Sequence, residues 1–265
     1  ACTYSWSRSI STTDRTNRTA GTWIAHTRFE LSRPAPWDGS VYWGGRFQAN
    51  QYDLSLQEPF LGIESQSQFL LSGAVHGGLT WTWNDRLTVT PTIGAQSLDE
   101  GGGFSIDPRL RLSYDLGTER PAKITAAGGV YHQLTTGITD ERDAGSTFRA
   151  ITPTPYPSNP SQSIHAMLGW DQMVASSLHL SVEGWYKDLQ DLPVPRWTPI
   201  VRFNTTLARA DGQALGADAS LEYHNDPVRI GLTYGYGRVT YRASEDRLGA
   251  WADQALVEYT PPHDL

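Results

Sequence analysis

The sequence predicts an all-β chain, an antiparallel up-and-down transmembrane β-barrel segment of about twelve strands. Three observations predict it. Apolar residues recur with period two along most of the chain, and no stretch of helical periodicity competes. The connections between these runs alternate between short and long. Aromatic residues gather near the ends of the runs, as expected of side chains that settle at the two membrane–water boundaries.

The stretch from Arg109 to Leu116 shows the alternation clearly. Leu110, Leu112, Tyr114 and Leu116 share one face, and Arg109, Arg111, Ser113 and Asp115 share the other. A strand of a soluble sandwich turns its apolar face to a core, whereas a membrane barrel turns it to lipid and its polar face to a watery lumen. Strand length, connection length and aromatic placement decide between the two.

Period-two runs cover residues 3–10, 20–32, 41–55, 68–83, 86–97, 106–116, 121–134, 162–174, 177–190, 214–224, 227–240 and 252–260. Many exceed the ~5–6 residues of a typical globular strand and suffice for a tilted membrane crossing of about 9–11. Asn84-Asp85, Gly117 to Arg120, Ala175-Ser176 and Asn225-Asp226 read as tight turns, while 135–161, 191–213 and 241–251 read as long loops. In a meandering barrel, odd connections lie at one end and even ones at the other, so short periplasmic turns and long outer loops produce this rhythm. Arg33 to Ser40 falls at a short-turn position but reads longer.

Face assignment then places Leu87, Val89, Ile93, Ile124, Val130, Ile164, Leu168, Trp170, Leu180, Val182, Tyr186, Leu221, Ile230, Leu232 and Tyr234 toward lipid. Lys123, His165, Asp171, His179, Glu183, Lys187, Asp218, Glu222 and Arg229 fall on the lumen side. Trp81, Trp83, Tyr114 and Tyr223 precede short turns, and Trp170, Tyr186, Tyr234 and Tyr236 lie toward the long-loop end.

Composition narrows the function classes. The 265 residues carry a net charge of −7 with basic residues scattered singly, which argues against nucleic acid. A run of about 18 apolar residues is missing, so a spanning helix is not expected. Cys2 has no partner for an internal disulfide and reads as a small residue of an end strand. Ala1 to Trp6 lacks the layout of a signal peptide and reads as a strand entered part-way, so a fragment is expected.

In their order and spacing, these strands resemble the barrel of TonB-dependent outer-membrane receptors. The residues that carry the resemblance run from Asp107 to Leu116, Ile124 to Gln133, Ser163 to Trp170 and Leu178 to Leu189, extended by Trp83 to Pro91, Gly216 to Ala219 and Gly231 to Tyr234. The likeness spans roughly residues 68–265, and the first sixty are compatible with it. Gly94-Ala95-Gln96-Ser97 departs from the family's usual strand. The resemblance implies about half of a 22-stranded barrel. It also implies that TonB is contacted only through a plug domain lying outside this chain. It further implies a bacterial outer-membrane location, contact with outer-membrane lipid, and uptake of a small extracellular molecule such as a ferric siderophore or other iron chelate.

For ligand recognition the candidates are Tyr131, Gln133, Arg142, Arg149, Tyr156, Arg196, Trp197 and Arg202, which combine stacking surfaces with fixed positive charge in the long loops and upper lumen. No catalytic residue, metal or cofactor is expected. His165, His179, Glu183 and Asp171 read as a structural polar network, with none of the close spacing of a zinc site. Gly101-Gly102-Gly103 reads as a pliable loop and not a phosphate cradle. Two alternatives remain: a passive porin, and an outer-membrane hydrolase using His132, assigned to the lipid side, with a serine such as Ser163. For that hydrolase the sequence offers no evident orienting acid or amide.

Overall fold

A computed structural model describes residues 2–13, 18–58, 62–98, 103–140, 148–153, 160–195, 207–243, 257–258 and 263–264, and every regular element among them is a strand. In order these are β1 (Cys2–Thr13), β2 (Arg18–Pro34), β3 (Gly39–Glu58), β4 (Gly62–Trp83), β5 (Leu87–Leu98), β6 (Phe104–Asp115), β7 (Ala122–Gln133), β8 (Thr135–Asp140) and β9 (Phe148–Pro153). They continue as β10 (Ser161–Ala175), β11 (Leu178–Pro195), β12 (Leu207–Asn225), β13 (Val228–Ala243), β14 (Val257–Glu258) and β15 (His263–Asp264). One antiparallel sheet holds all but β8 and β9, with its strands in chain order from β1 to β14 and β15 beside β13. The predicted meander is therefore present. Among the described residues β1 does not pair with the last strands, so the sheet is open. Of the expected run 252–260, Val257–Glu258 lies in the described residues.

Local chemistry sets the tight turns. Asn84 and Asp85 both take positive φ, 50° and 55°, the handedness that matches the twist of the strands they join. Gly117 has φ 61° after β6, and its amide donates to Asp115 Oδ1 at 2.8 Å. The turn expected at Ala175-Ser176 lies one residue later, because a register shift after Met173 lets Ala175 pair with Leu178. Likewise Asn225 pairs with Val228, moving the next turn to Asp226-Pro227. The connection expected over Arg33 to Ser40 shrinks to 35–38, since Arg33 and Pro34 pair with Val41 and Ser40. With that correction the short-turn end is regular throughout.

The two faces of the sheet are inverted relative to a soluble protein. Leu168 and Leu232 are each 62% exposed, and Leu110, Val182, Leu221, Ile93, Ile230 and Phe47 are also exposed on the same side. Asn50 at 1%, Thr125 and Asp107 are buried on the other. A buried polar residue and an exposed apolar patch are the informative exceptions to ordinary burial, and here they coincide strand by strand. Each large apolar side chain left in water forgoes about 1.5–3 kcal/mol, so this outer face requires an apolar environment. Trp37, Trp43, Trp81, Trp83 and Tyr114 stand outward near the short turns, forming one of the two predicted aromatic levels.

The sequence reading missed β8 and β9, which form a separate hairpin inside the long connection between β7 and β10. The chain bends at Leu134, which is buried with Tyr52 of β3 and Leu70 of β4. Strand β9 lies against β1, β2 and β3, so the hairpin folds over the inner face and does not stand away from the barrel's end.

Candidate functional site

Register assembles a polar belt on the inner wall. Arg109 of β6 pairs with Gly129 of β7, Gly129 with His165 of β10, His165 with Lys187 of β11 and Lys187 with Ala214 of β12. All five residues share one row and one face. Gly129 leaves the centre of the row open: a Cβ there would lie 2.7 Å from Arg109 Cγ and 2.9 Å from the Pro108 carbonyl oxygen. The Arg109 side chain takes that space, beside Tyr131 two residues along β7. The Tyr131 ring stacks on His165 with centroids 4.3 Å apart, and the Arg109 guanidinium carbon sits 4.2 Å from the ring centroid.

The neighbouring row repeats the device with an indole. Trp185 faces inward opposite Gly216, and a Cβ at Gly216 would collide with the Trp185 ring and the Tyr236 carbonyl. Seated there, Trp185 Nε1 donates to Asp218 Oδ2 at 2.8 Å, and Lys187 Nζ lies 5.1 Å from the indole centroid. Tyr131, His165, Met167, Glu183, Trp185 and Lys187 line a cleft of about 300 Å³.

A second cleft of about 360 Å³ lies on the far side of Arg109. Arg28, Arg46, His76, Gln96, Asp107 and Arg109 line it, so it runs from β2 to β6 and shows that the inner face is concave. Asp107, 8% exposed, accepts from Arg109 at 3.3 Å and lies 2.7 Å from His132 Nδ1. Gln96 donates to the His132 carbonyl oxygen at 2.9 Å. The last turn of β7, where the chain departs toward the hairpin, is thus tied to the inner wall.

Of the candidates read from the sequence, Tyr131 stands in the belt and Gln133 is exposed at the end of β7. Arg149 lies in β9 opposite Thr139, with its side chain outside the described residues. Arg142, Tyr156, Arg196, Trp197 and Arg202 lie outside the described residues altogether, as do Gly101 and Gly102. His165, Lys187, Glu183 and Asp218 occupy the inner face as expected, and His179 Nε2 lies 3.9 Å from Asp171 Oδ1. The sequence reading did not single out Trp185, Asp107, Arg28, Arg46 or His76. Parity with Glu183 and Lys187 on the same strand was the signal that could have placed Trp185.

The lipid-side assignment of His132 is corrected. Its side chain is 14% exposed and bonds Asp107, because the end of β7 is drawn inward with Leu134. No hydroxyl bonds this imidazole among the described residues, and the Ser163 hydroxyl is buried without a hydrogen-bond partner. The nucleophile–base contact of a hydrolase is therefore missing from this pair. The described residues contain no grouping of three His, Cys, Asp or Glu that could hold a metal ion. What the wall offers chemically is guanidinium, ammonium, imidazole and aromatic surfaces around open clefts, a set suited to binding.

The sequence matches no family model, and no curated protein matches it. Solved structures of other proteins do resemble this one in fold. The copper transporter OprC superposes with a TM-score of 0.60 at 12% identity, covering 92% of this chain and 46% of that one. The RagAB peptide transporter gives 0.56 at 9% identity, covering 91% and 31%. The RagAB peptide importer in its closed-closed state gives 0.55 at 10%, covering 91% and 33%. At these identities the likeness shows the fold, and the chain spans 31–46% of the length of those proteins.

Proposed function

We propose that this chain is part of a TonB-dependent receptor barrel in a Gram-negative outer membrane, serving the uptake of a scarce nutrient such as a ferric siderophore. One observation carries the reading: large apolar side chains are exposed along the outer face, while a belt of charged and aromatic groups lines the inner wall. Such a sheet meets lipid on one side and an aqueous bore on the other. The likeness in fold to proteins named as peptide and copper transporters supports a transport role without indicating the cargo. TonB would act through a plug domain outside this chain, and the charged, aromatic wall suits an anionic chelate. Nothing in this reading calls for a catalytic step.

The test uses the full-length protein in its own bacterium. The protein is expected to fractionate with the outer membrane, and uptake of radiolabelled iron presented as a siderophore panel is expected to fall when either this protein or TonB is inactivated. Undiminished, protein-dependent uptake in a strain lacking TonB would overturn energised transport in favour of passive diffusion.

A further inference from the structure

Arg28 of β2 and Arg46 of β3 are direct cross-strand partners on the inner face, and they line one cleft with Arg109. Like charges placed directly opposite are destabilising, so the arrangement costs the fold something and invites a functional explanation. Two of the three guanidinium groups have carboxylates. Arg28 Nη2 donates to Glu30 Oε2 at 2.8 Å, and Arg109 donates to Asp107 at 3.3 Å. Arg46 has no carboxylate or hydrogen-bond partner among the described residues, although it lies beside a paired arginine. The row through Arg28 and Arg46 continues across Ala74 to Gln96, so a small residue separates these cations from an amide donor. His76 flanks the same space, leaning over Gly44, where a Cβ would lie 2.8 Å from its Cε1.

We infer that this cleft is an oxyanion subsite, in which Arg46, supported by Arg28, takes a carboxylate or phosphate group of a small ligand by paired N–H···O bonds. The planar guanidinium fork matches both oxyanions, and an anion between two arginines converts their mutual repulsion into two attractions. The inference rests on the reading of this face as a water-filled inner wall, but not on TonB, on transport or on any particular cargo.

The test is calorimetric titration of the purified full-length protein in detergent micelles with citrate, and separately with inorganic phosphate. At least one should bind, and which one does identifies the group. Arg46→Gln is expected to weaken that binding at least tenfold, the loss that follows from removing a charge-assisted pair of bonds. Arg111→Gln, on the same wall but lining neither cleft, should change it less than twofold. Because the substitution relieves a like-charge contact, the melting temperature of Arg46→Gln should stay level or rise. Failure of both anions to bind, unchanged affinity in Arg46→Gln, an equal loss in Arg111→Gln, or a lowered melting temperature in Arg46→Gln would each overturn the assignment. None of these readouts depends on TonB, so the subsite and the transport reading stand or fall separately.

Discussion

Replacing Leu232 with arginine tests the orientation of the whole sheet. Leu232 is 62% exposed on the outer face, six residues beyond Asp226 at the short-turn end of β13. A strand tilted by about 45° and rising ~3.4 Å per residue gains about 2.4 Å of height per residue, placing Leu232 roughly 14 Å above the turn. That is near the middle of an apolar band about 25 Å tall, where an outward arginine costs about 2–4 kcal/mol. The adjacent Thr233 pairs with Ser220 on the inner face, so Thr233→Arg should cost under about 1 kcal/mol, as an exposed substitution does. The assay is reversible urea unfolding of the full-length protein in lipid vesicles, followed by tryptophan fluorescence. With an m-value of about 2 kcal/mol per molar, Leu232→Arg should lower the midpoint by about 1–2 M and Thr233→Arg should barely move it. A Leu232→Arg variant at least as stable as Thr233→Arg would refute the assignment of the outer face to hydrocarbon.

Three further outcomes are expected. Leu134→Ala should cost about 2–5 kcal/mol and increase protease cleavage between residues 135 and 153 in proteoliposomes, because Leu134 anchors the hairpin against Tyr52 and Leu70. Gly216→Ala should lower the urea midpoint by the equivalent of about 1–3 kcal/mol, since the added methyl collides with the Trp185 ring and a backbone carbonyl. Asp107→Asn should cost about 1.5–3 kcal/mol in the same assay, and it should tighten citrate binding severalfold by freeing the Arg109 guanidinium.

The strands and their faces were legible in the sequence wherever one face meets lipid, because hydrocarbon on one side and water on the other enforce strict alternation. Leu110, Val182, Leu221 and Leu232 fall on the face assigned to them. Where strands run on past that band, both faces are wet and the alternation fades. β4 therefore begins at Gly62 and not at 68, and β12 at Leu207 and not at 214. Thr135–Asp140 and Phe148–Pro153 give no period-two signal and were read as loop. The site was legible in kind but not in composition. Lumen-side His165, Lys187 and Asp218 followed from parity, whereas the seating of Arg109 over Gly129 and Trp185 against Gly216 depends on which residues the register sets side by side. The inward swing of His132 depends on the bend at Leu134, a tertiary effect that local pattern does not encode.

The hairpin of β8 and β9 has one more consequence. Leaving the sheet at β7 and resting on β1 to β3, it acts as a strut spanning the arc of the wall. Pushing it aside wets Leu134 and Leu70, at about 1.5–3 kcal/mol for each side chain. The buried hinge residue therefore holds the hairpin to the wall it crosses.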